Sequence, residues 1–395
     1  MADGRAGLDG RRRGRALVLT GGGARGAYQV GALRALADLC DESALPFPIV
    51  SGVSAGAINA VYLASRADDF REAVDQLWSV WEHIRADDVF LTNPTSLLHI
   101  GFRLLVELSL GSLIHEHHSN HLLDTTPLRD LLAPRGCDSA AIRRNLGNGV
   151  LRALAVTATD YHSGNAVTFF DSDTPIEPWV RTTRLGVHAK IRPEHALASA
   201  ALPIFFPPVN VDGRFFGDGC IRLRAPLSTA IHLGAERILA IGIRSSPPTG
   251  DDPGEGNGTD RVNASAPALT LAEIGGVLLN ALLLDGLELD VERLERINRT
   301  IELIPASHRS AQPLRTVPLT VLRPSRDLGR LASELLHRVP LPVRHLLRGL
   351  GATDHVGWDL LSYLFFDRAY TSKLLDLGYE DTIAQRETVQ RFLVA

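Results

Sequence analysis

Lysine is nearly missing from this chain of 395 residues: Lys190 and Lys373 are the only two, and every other fixed cation is arginine. We read that as a coding bias, because a net charge of −4 provides no basic field of the kind that gathers nucleic acid. Nucleic acid is therefore not an expected partner. Cysteine is scarce too. Cys40, Cys137 and Cys220 are too few and too scattered for a disulfide framework or a zinc site. A reducing compartment follows, so the expected location is cytoplasmic. No run of about eighteen uncharged apolar residues exists, which argues against a transmembrane helix. Arg11, Arg12, Arg13 and Arg15 precede an apolar stretch in the manner of a signal peptide, but Ala16 to Thr20 is too short and glycines follow it.

What is present is an ordinary globular composition, 45% hydrophobic and 22% charged, long enough for one large domain with additions or for two. Residues 1–14 read as a disordered Arg/Gly-rich tail. Ala16 to Thr20 is a continuous apolar run of strand length, followed by Gly21-Gly22-Gly23-Ala24-Arg25-Gly26 and a helical pattern through Leu39. Pro46 to Ser51 reads as a second strand, ending at Gly52-Val53-Ser54-Ala55-Gly56 and a further apolar helix. Strand, turn, helix, repeated, points to a parallel sheet with helices on its faces. Residues 68–132 read as a helical insertion, and strands return at 151–159 and 166–170. A hairpin turns at Asp212-Gly213. The Gly-, Pro- and Asp-rich stretch 245–265 reads as a flexible loop, followed by one long helix to Ile297 and a strand at 300–304. The rest, from about 317, reads as helical.

The two turns carry chemistry. A serine at Ser54, on a tight strand-to-helix turn between Gly52 and Gly56, has the setting of an exposed nucleophile. The bare N–H groups of the Gly21–Gly26 turn sit at a helix start, where negative charge is stabilised. That same turn satisfies a dinucleotide fingerprint, Gly21-x-Gly23-x-x-Gly26, so an oxidoreductase is the competing reading. It needs an acidic residue closing the second strand, where Val50-Ser51 stands instead, and we favour an oxyanion hole. A base is also needed. His162, His188, His195 and His232 occupy no strand end of the right character, whereas Asp218 follows a strand and lies between Gly217 and Gly219. Aromatic and proline residues around 205–216 would desolvate a carboxylate and raise its pKa. The plainer reading of Asp218 is a turn residue.

Taken in order, Gly21–Tyr28, Gly52–Gly56, Ala198–Val209 and Asp218-Gly219-Cys220 resemble the patatin-like phospholipases, over roughly residues 15–245. The resemblance implies a three-layer α/β/α sandwich with a mostly parallel sheet, here a hydrolase domain over 15–305 with a helical C-terminal extension over 306–395. It implies Ser54 as nucleophile, Asp218 as base, the Gly21–Gly26 turn as oxyanion hole, and fatty-acyl esters of lipids as substrates, with no cofactor and no metal. Cys220 departs from the Gly or Ala that the family more often carries there. A non-catalytic lipid-binding protein is the remaining alternative.

Other features stay open at this level. His115, His117, His118 and His121 around Glu116 lack a completing ligand set, so an exposed His-rich loop is preferred to a metal site. Leu97 to Ile114 reads equally as a lid that meets lipid or as a buried helix. The apolar residues Leu360 to Phe366 need a partner: they cap an acyl pocket or join two copies as a homodimer. Peripheral contact with a membrane surface is a further expectation.

Overall fold

The computed structural model describes residues 10–91, 122–132, 136–245, 271–305, 308, 314–339 and 358–394. Both the 97–114 stretch and the histidines at 115–121 lie outside them. At its centre is a ten-stranded sheet: β1 Arg15–Leu19, β2 Ile49–Val53, β3 Ala153–Asp160, β4 Ala166–Ser172, β5 Trp179–Arg181, β6 Arg184–His188, β7 Val209–Val211, β8 Arg214–Asp218, β9 Arg237–Ile241 and β10 Leu319–Leu322. The main path runs β10-β9-β1-β2-β3-β4-β6-β5, and β10 through β3 are parallel.

β1 shows why continuous apolar runs become central strands. Leu17 and Leu19 point into one core while Ala16 and Val18 point into the other, so both faces of the strand are covered. The first face carries the helices Gly26–Leu39, Ala55–Ser65 and Phe70–His83, and the second carries Pro226–His232 and Asp285–Glu302. The result is three layers, helix, sheet, helix, with a mixed and mostly parallel sheet.

β8 is the strand that matters most for the site. β4 occupies one edge of β3 from Ala153 to Thr159, and β2 occupies the other edge from Ala153 to Thr157. β8 continues along the β2 edge, pairing Asp218 with Ala158 and running antiparallel. The C-terminal ends of β2 and β8 therefore meet head to head. The residue after Val53 is Ser54, and the last residue of β8 is Asp218.

Beyond 305 the chain does not stand apart from this sheet. β10 adds to its edge beside β9, and helix Arg368–Ala384 lies on helix Gly26–Leu39. There Gly31 and Gly378 let the two backbones touch, since a Cβ on either would collide with a carbonyl oxygen of the other helix.

Several expectations change. The strand expected at 300–304 is helix as far as Glu302: Ile301 is buried and Leu303 is exposed, whereas a strand would put both on one face. The stripe Leu287, Val291, Leu294, Ile301 has helical spacing. The long helix expected from 271 is two, Leu271–Leu283 and Asp285–Glu302. β10 falls where helix was expected, because a four-residue edge strand with a single buried side chain carries little periodicity. In the expected tail, Gly10–Arg13 form a helical turn, with Arg12 bonded to the Leu45 carbonyl and paired with Glu42.

Candidate active site

The second strand lies a little later than the sequence implies, at Ile49–Val53, and this places Ser54 at its very end. Ser54 is the N-cap of helix Ala55–Ser65 and has φ 56° and ψ −129°, a backbone conformation that side-chain-bearing residues avoid. Such strain costs on the order of 1–3 kcal/mol and persists only when neighbouring structure enforces it. Here the enforcement is visible. The Ser54 N–H donates to Ser199 Oγ at 2.9 Å, and the Ser199 hydroxyl donates to the Thr157 carbonyl at 2.6 Å. The Ser54 carbonyl accepts from Ala57 N–H at 2.9 Å and so starts the helix.

Asp218 faces it and is fully buried. Its N–H donates to the Ala201 carbonyl, its own carbonyl accepts from the Thr159 hydroxyl at 2.8 Å, and its Oδ1 accepts from Cys220 N–H at 2.8 Å. Oδ2 is buried without a hydrogen bond of regular geometry. Burial pushes this carboxyl up to about 6, while the Ser54 hydroxyl and then the backbone and thiol of Cys220 draw it back down. The serine and the aspartate are therefore brought together, and the aspartate is poised near neutrality. Burial also raises the Cys220 thiol well above its usual range, which keeps it protonated beside the carboxylate.

The glycine turn closes the third side. Gly21 packs directly on this pair: a Cβ there would overlap Cys220 Sγ and lie 2.8 Å from Ser54 Cβ. Arg25 N–H is taken by the Gly22 carbonyl at 3.1 Å, and Gly26 N–H by the carbonyls of Gly23 and Ala24. Among the described residues, no backbone carbonyl accepts from the N–H groups of Gly22, Gly23 or Ala24. Gly21 is engaged too, through a backbone hydrogen bond with the Cys220 thiol, so Gly22, Gly23 and Ala24 are what the six-residue turn expected from sequence leaves as open donors. The Arg25 side chain also goes elsewhere, onto Ser362 and Tyr363.

Ser54 and Gly23 open onto an apolar cavity of about 140 Å³, walled by Ile58, Trp81, Phe206, Leu283, Tyr363 and Phe366 among others. The last two belong to the C-terminal region, so part of that region caps this cavity.

The four histidines weighed as bases are placed elsewhere. His162 and His188 are exposed beside Asp160 and Asp171. His232 stacks on Trp179. His195 is buried against Phe169, accepts from Arg192 N–H at 3.0 Å, and is pushed down to about 4 by burial, so it stays neutral.

Sequence reasoning missed a buried polar chain beneath the two turns. Trp81 Nε1 donates to Asn59 Oδ1 at 2.9 Å, Asn59 Nδ2 to Gln29 Oε1 at 3.0 Å, and Gln29 Nε2 to the Thr20 carbonyl at 2.7 Å. It ties the end of β1 to three helices. A signal was available: Gln29 and Asn59 each stand three residues after a turn glycine, Gly26 and Gly56, in otherwise apolar helices.

A strained serine elbow, a buried carboxylate and a glycine turn thus meet beside an apolar cavity on a three-layer α/β fold. The model of the patatin-like phospholipase family matches residues 17–231, more than half of the chain, and the protein belongs to that family. Among solved structures it is similar to VipD from Legionella pneumophila, at 12% identity and a TM-score of 0.34, over 95% of this chain and 67% of that one. No curated protein matches it. Among the described residues, no helix is long and apolar enough to cross a membrane.

Proposed function

We propose that the protein is a serine hydrolase that cleaves fatty-acyl esters of lipids through Ser54 and Asp218. The observation that carries this is the strained Ser54 held against a buried, pKa-raised Asp218 at the mouth of an apolar cavity. Asp218 takes the Ser54 hydroxyl proton as Oγ attacks the ester carbonyl. The N–H groups of Gly22, Gly23 and Ala24 are the donors available to the tetrahedral oxyanion. The alcohol leaves with the proton from Asp218, and an acyl-serine remains. Asp218 then removes a proton from water as it attacks the acyl carbon and passes that proton to Ser54 Oγ as the acyl–oxygen bond breaks, which frees the fatty acid and restores the serine hydroxyl. Burial keeps the carboxylate basic enough for this without histidine.

The test pairs fluorophosphonate labelling with hydrolysis of phospholipids, lysophospholipids and short-chain esters. Wild type should label and turn over, Ser54→Ala should do neither, and Asp218→Asn should lose turnover with its fold intact. Labelling and hydrolysis by Ser54→Ala at the wild-type rate would sink the mechanism. A wild type that binds lipid vesicles without turnover would point to a lipid-binding role instead.

A further inference from the structure

We propose that Arg25, Ser362 and Tyr363 form a clamp through which the C-terminal segment holds the glycine turn in its anion-binding shape. The catalytic consequence rests on the hydrolase reading above; the clamp itself rests on geometry. An arginine inside an anion-binding turn invites the reading that it meets the substrate's charge. Instead its guanidinium is buried against the opposite end of the chain. Nε and Nη2 donate to Ser362 Oγ at 2.8 and 2.6 Å, and the cation lies 4.2 Å from the centre of the Tyr363 ring. Arg25 is 3% exposed and Ser362 fully buried, so water does not substitute for these contacts.

The backbone tells the same story. Gly23 has φ +54°, and the space where its Cβ would stand holds the carbonyl oxygen of Tyr363. The turn and helix Trp358–Leu364 therefore touch main chain to main chain, one residue from the arginine contact. The helix is braced in turn: the Tyr363 hydroxyl donates to Asn280 Oδ1 at 2.8 Å on helix Leu271–Leu283, and Phe366 stacks on Trp81. Residues outside the 17–231 family match thus position the donors inside it. Oxyanion donors work only within a few tenths of an ångström of their acceptor, so a loosened clamp acts on rate. Arg25 and Ser362 are positioning residues in this account.

The experiment uses the full chain with Ser362→Ala, and with Arg25→Lys, which keeps the charge but loses the two-pronged contact. On a soluble short-chain ester, both should lower kcat by about 10-fold with KM changed less than about 2-fold, the pattern of an interaction felt in the transition state. Hydrogen exchange supplies the readout that does not depend on activity: peptides spanning residues 20–28 should exchange faster in both variants, with β1 and β9 unchanged. Unchanged exchange at 20–28 overturns the clamp. Faster exchange with wild-type kcat overturns its catalytic role. A wild type without ester hydrolysis overturns the hydrolase reading and leaves the clamp to be decided by exchange. If Ser362→Ala does not fold, Arg25→Lys carries the same expectations.

Discussion

Asp218→Asn should make the protein more stable, and only above a particular pH. In the folded chain the carboxyl is raised from an ordinary value of 3.8 to about 6, chiefly because burial penalises its charged form. A shift of about two units is worth about 3 kcal/mol, at about 1.4 kcal/mol per unit. The sign follows from proton binding. Between about pH 4 and 6 the folded protein holds this proton and the unfolded chain has released it, so stability from this group falls as pH rises. Below that window both states are protonated and nothing is lost. Above it the full cost is in place. Asparagine never ionises, and its carbonyl can still accept from Cys220 N–H, now at 2.8 Å from Asp218 Oδ1.

The assay is urea unfolding of both proteins at several pH values from 4 to 7.5, followed by tryptophan fluorescence. Other titrating groups are shared and cancel in the difference between variant and wild type. That difference should grow by about 3 kcal/mol across the window. Any constant offset from the new amide does not affect the slope. A difference that stays flat with pH, or grows in the other direction, would refute the claim that Asp218 is held as a poorly solvated carboxylate. Under the proposed dyad the same substitution should abolish turnover, a trade of activity for stability.

Three further outcomes follow from the same geometry. Because the base must be ionised, kcat/KM should fall about tenfold per pH unit below about 6 and level off above it, measured on a neutral ester whose own charge does not change. Ser199→Ala leaves the Ser54 N–H and the Thr157 carbonyl buried without their partner, and should cost about 1–3 kcal/mol in urea unfolding together with a lower kcat. Gly21→Ala forces a methyl against Cys220 Sγ and Ser54 Cβ, so labelling by fluorophosphonate should collapse, and adding Cys220→Ala should restore part of it.

The two turns were legible because each follows a buried apolar strand and leads into a small-residue helix, signals that sit within about ten residues. How the parts meet was not. Ser54 and Asp218 come together only because β8 docks on β3 beyond the end of β2, and that is a matter of strand pairing. The family resemblance supplied the pairing that residue-level reading left open. Arg25 shows the opposite case. Its local sequence points to an anion, yet the partner found for it is a serine 337 positions away. Ser199 was visible inside a run of small residues, but its hydroxyl gains a role only once β3 lies beneath it.

The C-terminal region could have been weighed as a packing partner from the start, by an argument about helix Gly26–Leu39. Its apolar residues do not form one stripe: Ala27, Tyr28, Val30, Ala32, Leu33, Ala35 and Leu36 are all buried, and so are Gln29 and Gly31 between them. A helix on the outside of a two-layer packing shows a polar face to water, and one without such a face must be covered on both sides. The sheet covers only one. Some other segment had to supply the second cover, and the apolar helices read after residue 317 were among the candidates, beside the insertion over 68–132 and the long helix ending near Ile297. Helix Arg368–Ala384 fills that place, with Gly378 set against the Tyr28 carbonyl and the Tyr28 hydroxyl donating to Asp381 at 3.1 Å. The first helix of the catalytic fold is thus buried by the last part of the chain. A truncation at the end of the family-matched region would uncover that helix's outer face as well as the clamp on Arg25.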